Sequence, residues 1–156
     1  MHIEPDDLSR PAVHALLAEH LRNMYELSPP EQVFALDLTK LRAPDIAFWT
    51  VWDDGVLLGC GALKALSAHH GEIKSMRTPH AARRRGAGRA LLAHIVGVAQ
   101  QRGYERLSLE TGSHPDFGRA HRLYRSAGFE ACGAFAGYRD NPHSVFMTLH
   151  LADPAG

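Results

Sequence analysis

A basic, glycine-containing loop combines the residue types and spacing that suit it to bind a ligand. It runs from Arg83 to Gly88, between a predicted strand and a predicted helix, and Arg89 follows it. The first backbone N–H groups of a helix have no partner within the helix, and the helix dipole adds partial positive charge there. Gly86 and Gly88 carry no side chain that would block approach to this backbone. The loop therefore predicts a site for phosphate oxygens.

Two other interpretations of this loop stay open at the level of the motif. The glycines can simply begin a helix while the arginines form a solvated face, because short glycine motifs often occur without a ligand. A basic patch can also bind nucleic acid, but this one has no interleaved aromatic residues. The chain as a whole has 17 basic and 17 acidic residues, so its net charge does not support a nucleic-acid partner.

A predicted helix further along the chain carries a tyrosine that can act as an acid. Ala120, Leu123 and Ala127 share one face of this helix, and Tyr124 lies beside that face. The interpretation without chemistry is a tyrosine with its ring in the core and its hydroxyl at the surface. A phenol with a pKa near ~10 can also donate a proton to a thiolate leaving group, whose thiol has a pKa of roughly 8 to 9.

Taken together, these two segments resemble a known family. Arg-x-x-Gly-x-Gly from Arg83, followed by Arg89-Ala-Leu-Leu, is similar to the acetyl-CoA signature of the GNAT acetyltransferases, and Leu-Tyr-x-x-x-Gly-Phe from Leu123 follows at the family's spacing. The resemblance implies an N-acetyltransferase that transfers the acetyl group of acetyl-CoA to a primary amine of a small molecule or peptide by direct attack. It also implies the GNAT fold: an α/β domain with a mixed central sheet of about six to seven strands and about four helices.

The resemblance also implies residues for the co-substrate site. In the family, the loop amides hold the pyrophosphate, and a bulge in the preceding strand exposes backbone groups to the pantetheine arm and the acetyl carbonyl. The tyrosine donates to the departing CoA thiolate. Many members have an asparagine seven positions before that tyrosine; here this position is Phe117, which puts the usual side-chain contact in doubt and leaves Thr111 or Ser113 as substitutes. The expected cofactor-binding residues are Met76, Arg77, Thr78, Arg83, Arg84, Arg85, Gly86, Ala87, Gly88, Arg89, Phe117 and Tyr124.

Catalysis further requires a base, because an ammonium group must lose a proton before it can attack a thioester. Glu72 lies in the strand before the loop, at a position that resembles the glutamate base of the family's histone-acetylating members. Glu110, on the next strand, is the competing candidate, and some members use waters and backbone carbonyls instead. The alternative for Glu72 is an exposed carboxylate paired with Lys74 or Lys64. The predicted catalytic residues are Tyr124, Glu72 and Glu110.

The resemblance also indicates where the acceptor binds: the first helices, the loop after them and the last two strands. Their aromatic and charged residues suit a small amine or a peptide N-terminus without choosing between them. These residues are Met24, Tyr25, Glu26, Phe34, Phe135, Tyr138, Arg139 and Asp140.

Three alternatives to this function differ in what they require. A non-catalytic acyl-CoA-binding or sensor domain would need the loop amides but neither Tyr124 nor a base. An acyltransferase with another donor, such as succinyl-CoA, would use Arg77 or Arg139 to hold the extra carboxylate. A metal site would need a third ligand beside His114 and His121, which the sequence does not offer, so no metal is predicted.

The length and composition of the chain predict its domain organisation and its compartment. The chain has 156 residues, 45% of them hydrophobic, which fits one domain with one core over residues 1–152 and a disordered tail over 153–156. No apolar stretch reaches the roughly 18 to 20 residues that span a bilayer, and the acidic N-terminus is unlike a signal peptide. Two cysteines, Cys60 and Cys132, leave one disulfide open, but without a secretory signal they indicate reduced thiols in a cytoplasmic protein. The balanced charge predicts no membrane partner. The family allows a homodimer.

Alternating and helical patterns predict the elements that position the site. A helix begins at Ser9 as N-cap with Pro11 in its first turn, and a second helix spans Glu31 to Arg42. Helices after Gly88 and before Gly128 separate the later strands. The predicted strands are Met1–Glu4, Ile46–Trp52, Val56–Leu66, Glu72–Thr78, Arg106–Thr111, Phe129–Gly133 and Val145–Leu151.

Overall fold

A mixed sheet of seven strands runs through the computed structural model, which describes residues 1–33, 37–79, 82 and 85–151. The strands are β1 (His2–Pro5), β2 (Ile46–Asp53), β3 (Val56–Ala65), β4 (His70–Arg77), β5 (Arg106–Gly112), β6 (Glu130–Cys132) and β7 (Ser144–His150). The α-helices in the described ranges are α1 (Pro11–Leu27), α2 (Leu38–Leu41), α3 (Ala87–Gln101) and α4 (Gly118–Ser126). The predicted α/β class and mixed sheet are confirmed.

The order of strands in the sheet is β1-β2-β3-β4-β5-β7-β6. The first four strands form an antiparallel meander, in which the tight turn at Asp54 and Gly55 has positive φ at both residues, as a two-residue hairpin requires. β4 and β5 are parallel because α3 crosses over between them. β7 pairs antiparallel with β5 on one side and with β6 on the other.

Two hydrophobic cores cover the two faces of the sheet. On one face, α3 buries Leu91, Leu92 and Ile95 against residues such as Leu63 and Leu107. On the other face, α1 buries apolar side chains against a second set from the sheet and α2. The buried members of this second core are Leu8, Val13, Leu16, Leu17, Leu41, Phe48, Cys60 and Ala62.

The start of α1 differs from the prediction, because Arg10 rather than Ser9 is the residue before the first turn. The Ser9 hydroxyl donates to Asp7 Oδ1 at 2.5 Å and is therefore not free to cap the helix. Pro11 is the first helical residue, as the sequence predicts, and its missing N–H costs nothing at that position.

The prediction of one helix over Glu31–Arg42 is wrong. A 3₁₀ turn spans Pro30–Gln32, and the backbone is extended at Val33 (φ −97°, ψ 112°). A separate helix, α2, then begins after Asp37, whose side chain accepts a hydrogen bond from the Lys40 N–H at 2.9 Å. The extended backbone at Val33 ends the first turn and the Asp37 cap begins a new helix, so no single helix spans the segment. Phe34 lies outside the described residues.

β4 parts from both of its neighbours near its C-terminal end. Toward β3, Gly61 faces two residues, Ser75 and Met76, and Ser75 has a positive φ of 55°, which marks a β-bulge. Toward β5, the pairing ends at Ile73 and Leu109, although both strands continue beyond these residues. The two strands therefore leave an opening in the sheet between them.

Candidate active site

A cavity of about 500 Å³ lies at the opening between β4 and β5. Each of its walls comes from a different element: the ends of the two strands, the start of α3, the inner side of α4 and one side of α1. The lining residues used below are His20, Met24, Glu72, Lys74, Ser75, Met76, Arg77, Thr78, Gly86, Ala87, Gly88, Arg89, Glu110, Thr111, Phe117, Arg119 and Tyr124.

The register of the strands divides the cavity into two sides. Directly paired residues point to the same face of a sheet, and Lys74 and Arg77 pair with Ala62 and Cys60, which belong to the core under α1. Glu72 shares this face by alternation with Lys74. The pairing of Glu72 with Ser108 places Glu110, two residues further along β5, on the same face. The acidic and basic side chains of β4 and β5 thus lie together on the α1 side.

The start of α3 forms the opposite side of the cavity. Gly86 has a φ of 82°, and Ala87 to Arg89 form the first helical turn, with no side-chain cap. Within the described residues, the N–H groups of this turn have no hydrogen-bond partner, as is usual for a helix start. A Cβ on Gly88 would make ordinary van der Waals contacts, 3.4 Å from Leu123 and 3.5 Å from Thr78 Oγ1. The geometry matches that of an anion site.

The loop arginines do not share one position. Arg85 points away from the cavity, since its Nη2 donates to Asp53 Oδ2 at 2.7 Å in the β2–β3 turn. Arg83 and Arg84 lie outside the described residues. Arg89 lines the cavity and also a neighbouring hollow of about 340 Å³ on the α4 side. Arg119 and Arg122 line this hollow as well, and no carboxylate of the described ranges pairs with any of the three.

Tyr124 lies where the cavity meets the core under α3. It is 7% exposed, lines the cavity and packs edge-on against Phe129, with ring centroids 5.8 Å apart. Burial raises the pKa of the Tyr124 hydroxyl above its ordinary value. The phenol is therefore protonated at neutral pH and can act as a proton donor.

Phe117 fills the position where many family members carry asparagine. Its ring lies over Gly112, so closely that a Cβ on that glycine would come within 2.1 Å of it. Thr111 lines the cavity beside it. The Ser113 hydroxyl instead donates to the Pro142 carbonyl at 2.7 Å. Of the two predicted substitutes for asparagine, only Thr111 is placed in the cavity wall.

Glu72 is a buried carboxylate with two hydrogen-bond partners on one of its oxygens. It is 2% exposed, and its Oε2 accepts hydrogen bonds from the Tyr138 hydroxyl at 2.5 Å and from Lys74 Nζ at 3.2 Å. Lys74 also donates to the Tyr138 oxygen at 2.7 Å, which closes a three-membered network. The pairing with Lys74 matches the alternative weighed from the sequence, but the carboxylate is buried and not exposed.

Glu110 has a different environment on the same face. Burial is the largest influence and raises its pKa to about 7, while the nearby Ser144 hydroxyl and the charge of Lys74 act in the opposite direction. The negative charge of Glu72 raises it further. Glu110 therefore exchanges its proton near neutral pH, which is the property that a general base requires.

The α1 wall, where Arg77 of β4 meets α1, adds His20, a residue that the sequence did not place in the site. Arg77 Nη2 donates to Glu19 Oε1 at 2.7 Å, which fixes the guanidinium between β4 and α1. His20 is 9% exposed and lines the cavity. Burial and the nearby charge of Arg77 lower the pKa of His20 to about 4, so the imidazole is neutral at neutral pH. In α1, His20 shares the buried face with Val13, Leu16 and Leu17, so its helical spacing alone predicts a core residue.

The predicted acceptor residues separate into two groups. Met24 lines the cavity, whereas Tyr25 is 56% exposed and lies outside its lining. Phe135 and Tyr138 form an aromatic cluster with Phe146, with ring centroids 5.2 to 5.9 Å apart. Asp140 accepts from the Ala134 N–H at 2.9 Å and so shapes the loop that carries Tyr138.

No group of three metal-ligating side chains occurs in the part of the chain that the structure describes. In the same residues, no helix is both long and apolar enough to cross a bilayer.

In this α/β fold, a mixed sheet opens over the start of α3, and the buried Tyr124 lies beside the opening. This arrangement is typical of acyl-CoA-dependent transferases. The acetyltransferase (GNAT) family model matches residues 11–129. The chain is 53% identical over 151 residues to YsnE, an uncharacterised N-acetyltransferase of Bacillus subtilis, covering 97% of this chain and 100% of that protein. It is 50% identical over 151 residues to YedL, an uncharacterised N-acetyltransferase of Escherichia coli, covering 97% of this chain and 95% of that protein.

A solved GNAT family acetyltransferase from Elizabethkingia anophelis, with acetyl-CoA bound, has the same fold. Its TM-score is 0.69 at 17% identity, over 96% of this chain and 97% of that one.

The chain therefore belongs to the acetyltransferase (GNAT) family. These matches confirm the family and the enzyme class that the sequence predicts. The protein is an N-acetyltransferase with acetyl-CoA as its co-substrate.

Proposed function

We propose that this enzyme acetylates a primary amine that enters the cavity from the α1 side, with Glu110 as the base and Tyr124 as the acid. The observation that carries the proposal is the opening between β4 and β5. One cavity there joins a helix start suited to phosphate, a protonated tyrosine and a carboxyl group whose pKa is about 7.

The α3 side fits the co-substrate. The N–H groups at Ala87, Gly88 and Arg89 would hold its pyrophosphate, because a helix start attracts anions and Gly88 leaves the backbone accessible. The hollow lined by Arg89, Arg119 and Arg122 extends this positive surface and suits a further phosphate. The bulged main chain of β4 at Met76 to Thr78 would meet the pantetheine arm.

Proton transfer assigns the two catalytic roles. The amine nitrogen bonds to the acetyl carbon while the carbon–sulfur bond breaks, so one proton must leave the nitrogen and one must reach the sulfur. Glu110 takes the first, since a carboxylate with a pKa of about 7 is ionised in half or more of the molecules at neutral pH and above. Tyr124, whose pKa is raised by burial, supplies the second.

Glu72 is the second candidate for the base. It lies on the same face of the sheet as Glu110 and also lines the cavity. Its Oε2 already accepts from Tyr138 and Lys74, so this oxygen is less available to an incoming amine. We therefore assign Glu72 to holding Lys74 and Tyr138 in place, and Glu110 to proton abstraction.

A cytoplasmic location completes the proposal. Both cysteines are free thiols, which suits a reducing compartment.

Burial raises the pKa of Cys60 to about 12, so this thiol is not a nucleophile at neutral pH, and direct transfer to the amine is favoured over an acyl-enzyme.

The experiment that tests this function measures release of CoA from acetyl-CoA with a panel of primary amines, beside acetyl-CoA binding by calorimetry. The proposal expects binding and amine-dependent release. A non-catalytic sensor domain would bind acetyl-CoA and release nothing with any amine.

Competition with succinyl-CoA tests the donor: the proposal expects acetyl-CoA to be used in preference, and faster turnover of the succinyl donor would overturn it.

A further inference from the structure

Two buried nitrogen atoms in the α1 wall of the cavity have no partner. They are Nδ1 of His20 and Nε of Arg77, and neither has a hydrogen bond within residues 1–33, 37–79, 82 and 85–151. Both residues line the same cavity. Buried polar atoms are almost always hydrogen-bonded, so an unpartnered pair in one wall indicates a group that binds there.

Both nitrogens can take the same kind of partner. Arg77 is held through Nη2 by Glu19, which fixes the guanidinium and leaves Nε as a donor without an acceptor. The neutral imidazole of His20 can carry its hydrogen on Nδ1 and donate it. Two donors in one buried wall suit an oxygen atom, in either a carboxylate or an amide carbonyl.

The position of this wall points to the acceptor as the source of that oxygen. The side chain of Arg77 lies on the same face of the sheet as Lys74, Glu72 and Glu110, while the helix start suited to the pyrophosphate lies on the other. Lys74 and Arg77 are three residues apart on β4, so at most about 10 Å separates them along the strand. One small molecule or peptide end can span this distance.

We propose that His20 and Arg77 bind a carboxylate or carbonyl oxygen of the acceptor, so that the enzyme prefers amino acids or peptide N-termini over simple alkylamines. This inference rests on the proposed function and narrows its substrate class. Because Glu19 neutralises part of the charge of Arg77, the wall accepts a neutral carbonyl as well as an anion.

The test compares acceptors matched in their hydrocarbon part. Phenylalanine, phenylalaninamide and 2-phenylethylamine form one set, and leucine, leucinamide and 3-methylbutylamine form another. For at least one set, we expect kcat/KM for the amino acid or its amide to exceed that for the amine by about tenfold or more, as a hydrogen bond to a charged group allows. A preference for the free acid identifies a carboxylate, and equal use of the amide identifies a carbonyl.

Variants show whether the α1 wall causes the preference. In His20→Leu, the ratio of kcat/KM between the preferred acceptor and the amine should fall toward one, mainly through KM. His20→Asn, which can again present an N–H, should restore part of the ratio. His150→Leu, an exposed histidine at the end of β7, is the control and should keep the full ratio.

Three results would overturn the inference. The first is a wild-type ratio near one in both sets. The second is a ratio that His20→Leu leaves unchanged. The third is an equal loss with every acceptor, which would assign His20 to packing alone.

Calorimetry of acceptor binding to the CoA-loaded enzyme distinguishes failure of this inference from failure of the proposed function. If no amine is acetylated, the proposed function fails. The wall is still tested, because the amino acid or amide should bind more tightly than the matched amine, and His20→Leu should remove that difference.

Discussion

The hydroxyl of Tyr138 donates to Oε2 of Glu72 at 2.5 Å, although 66 residues separate the two in the chain. Lys74 contacts both groups. This network gives the carboxylate that the sequence offered as a base two hydrogen-bond partners, and we propose that Glu72 positions Lys74 and Tyr138. It leaves Glu110, on the neighbouring strand, as the carboxyl group with a pKa near neutrality.

Removing the Tyr138 hydroxyl should lower stability. Tyr138→Phe deletes the donor to a buried carboxylate, and we expect the free energy of unfolding to fall by about 1 to 3 kcal/mol. Urea denaturation measures the change, with Tyr25→Phe as the exposed control. Equal stability of Tyr138→Phe and the wild type would show that the network contributes nothing to the fold.

The pH profile of kcat/KM should have an acidic limb that reports the ionisation of Glu110. Because the pKa of Glu110 is about 7, kcat/KM for the amine should rise with pH through that value as the carboxylate forms. Glu110→Gln should lose most of the activity and this limb with it. Glu72→Gln should keep an acidic limb near the same pH, and loss of the limb in Glu72→Gln alone would assign the base to Glu72.

The same raised pKa predicts a pH-dependent stability. The folded state holds a proton on Glu110 up to about pH 7, whereas an exposed glutamate loses it near 4.5, so Glu110 makes stability fall as the pH rises between these values. Glu110→Gln should therefore be more stable than the wild type at pH 8, by up to about 3 kcal/mol, and not at pH 4. Denaturation at both pH values checks this, and an equal difference at both would contradict it.

The arginine hollow should contribute to binding of acetyl-CoA and not to turnover. Arg119→Ala and Arg122→Ala each remove a charge that lines the hollow beside the start of α3. We expect KM for acetyl-CoA to rise about threefold to tenfold per charge, with a smaller effect at high salt. Arg125→Ala, on the same helix but outside the lining of the hollow, is the matched control. Equal KM values in all three variants would remove the hollow from the co-substrate site.

The sequence predicts well those features that depend on neighbouring residues. The turn at Asp54 and Gly55 and the helix start at Gly86 to Gly88 follow from local backbone chemistry, and the structure has both. The alternation of Leu107 and Leu109 with polar residues predicts β5 for the same reason, because it reports burial on one face.

Features that depend on distant contacts could not be predicted in the same way. The helix over Glu31–Arg42 fails because the Asp37 side chain begins a new helix at Leu38. The burial of Glu72 depends on Tyr138, and the place of His20 in the cavity depends on how α1 crosses β4. No periodicity in the sequence carries this information, since each contact is set by packing between elements.

The most direct test of the central claim is the Tyr124→Phe variant, compared with the wild type and with Tyr104→Phe, a buried tyrosine of the same core outside the cavity. Stopped-flow or steady-state measurement of CoA release gives kcat, and calorimetry gives Kd for acetyl-CoA. We expect Tyr124→Phe to lower kcat by about 10²- to 10⁴-fold while Kd changes less than threefold, and Tyr104→Phe to change kcat little. Full turnover by Tyr124→Phe would contradict the account.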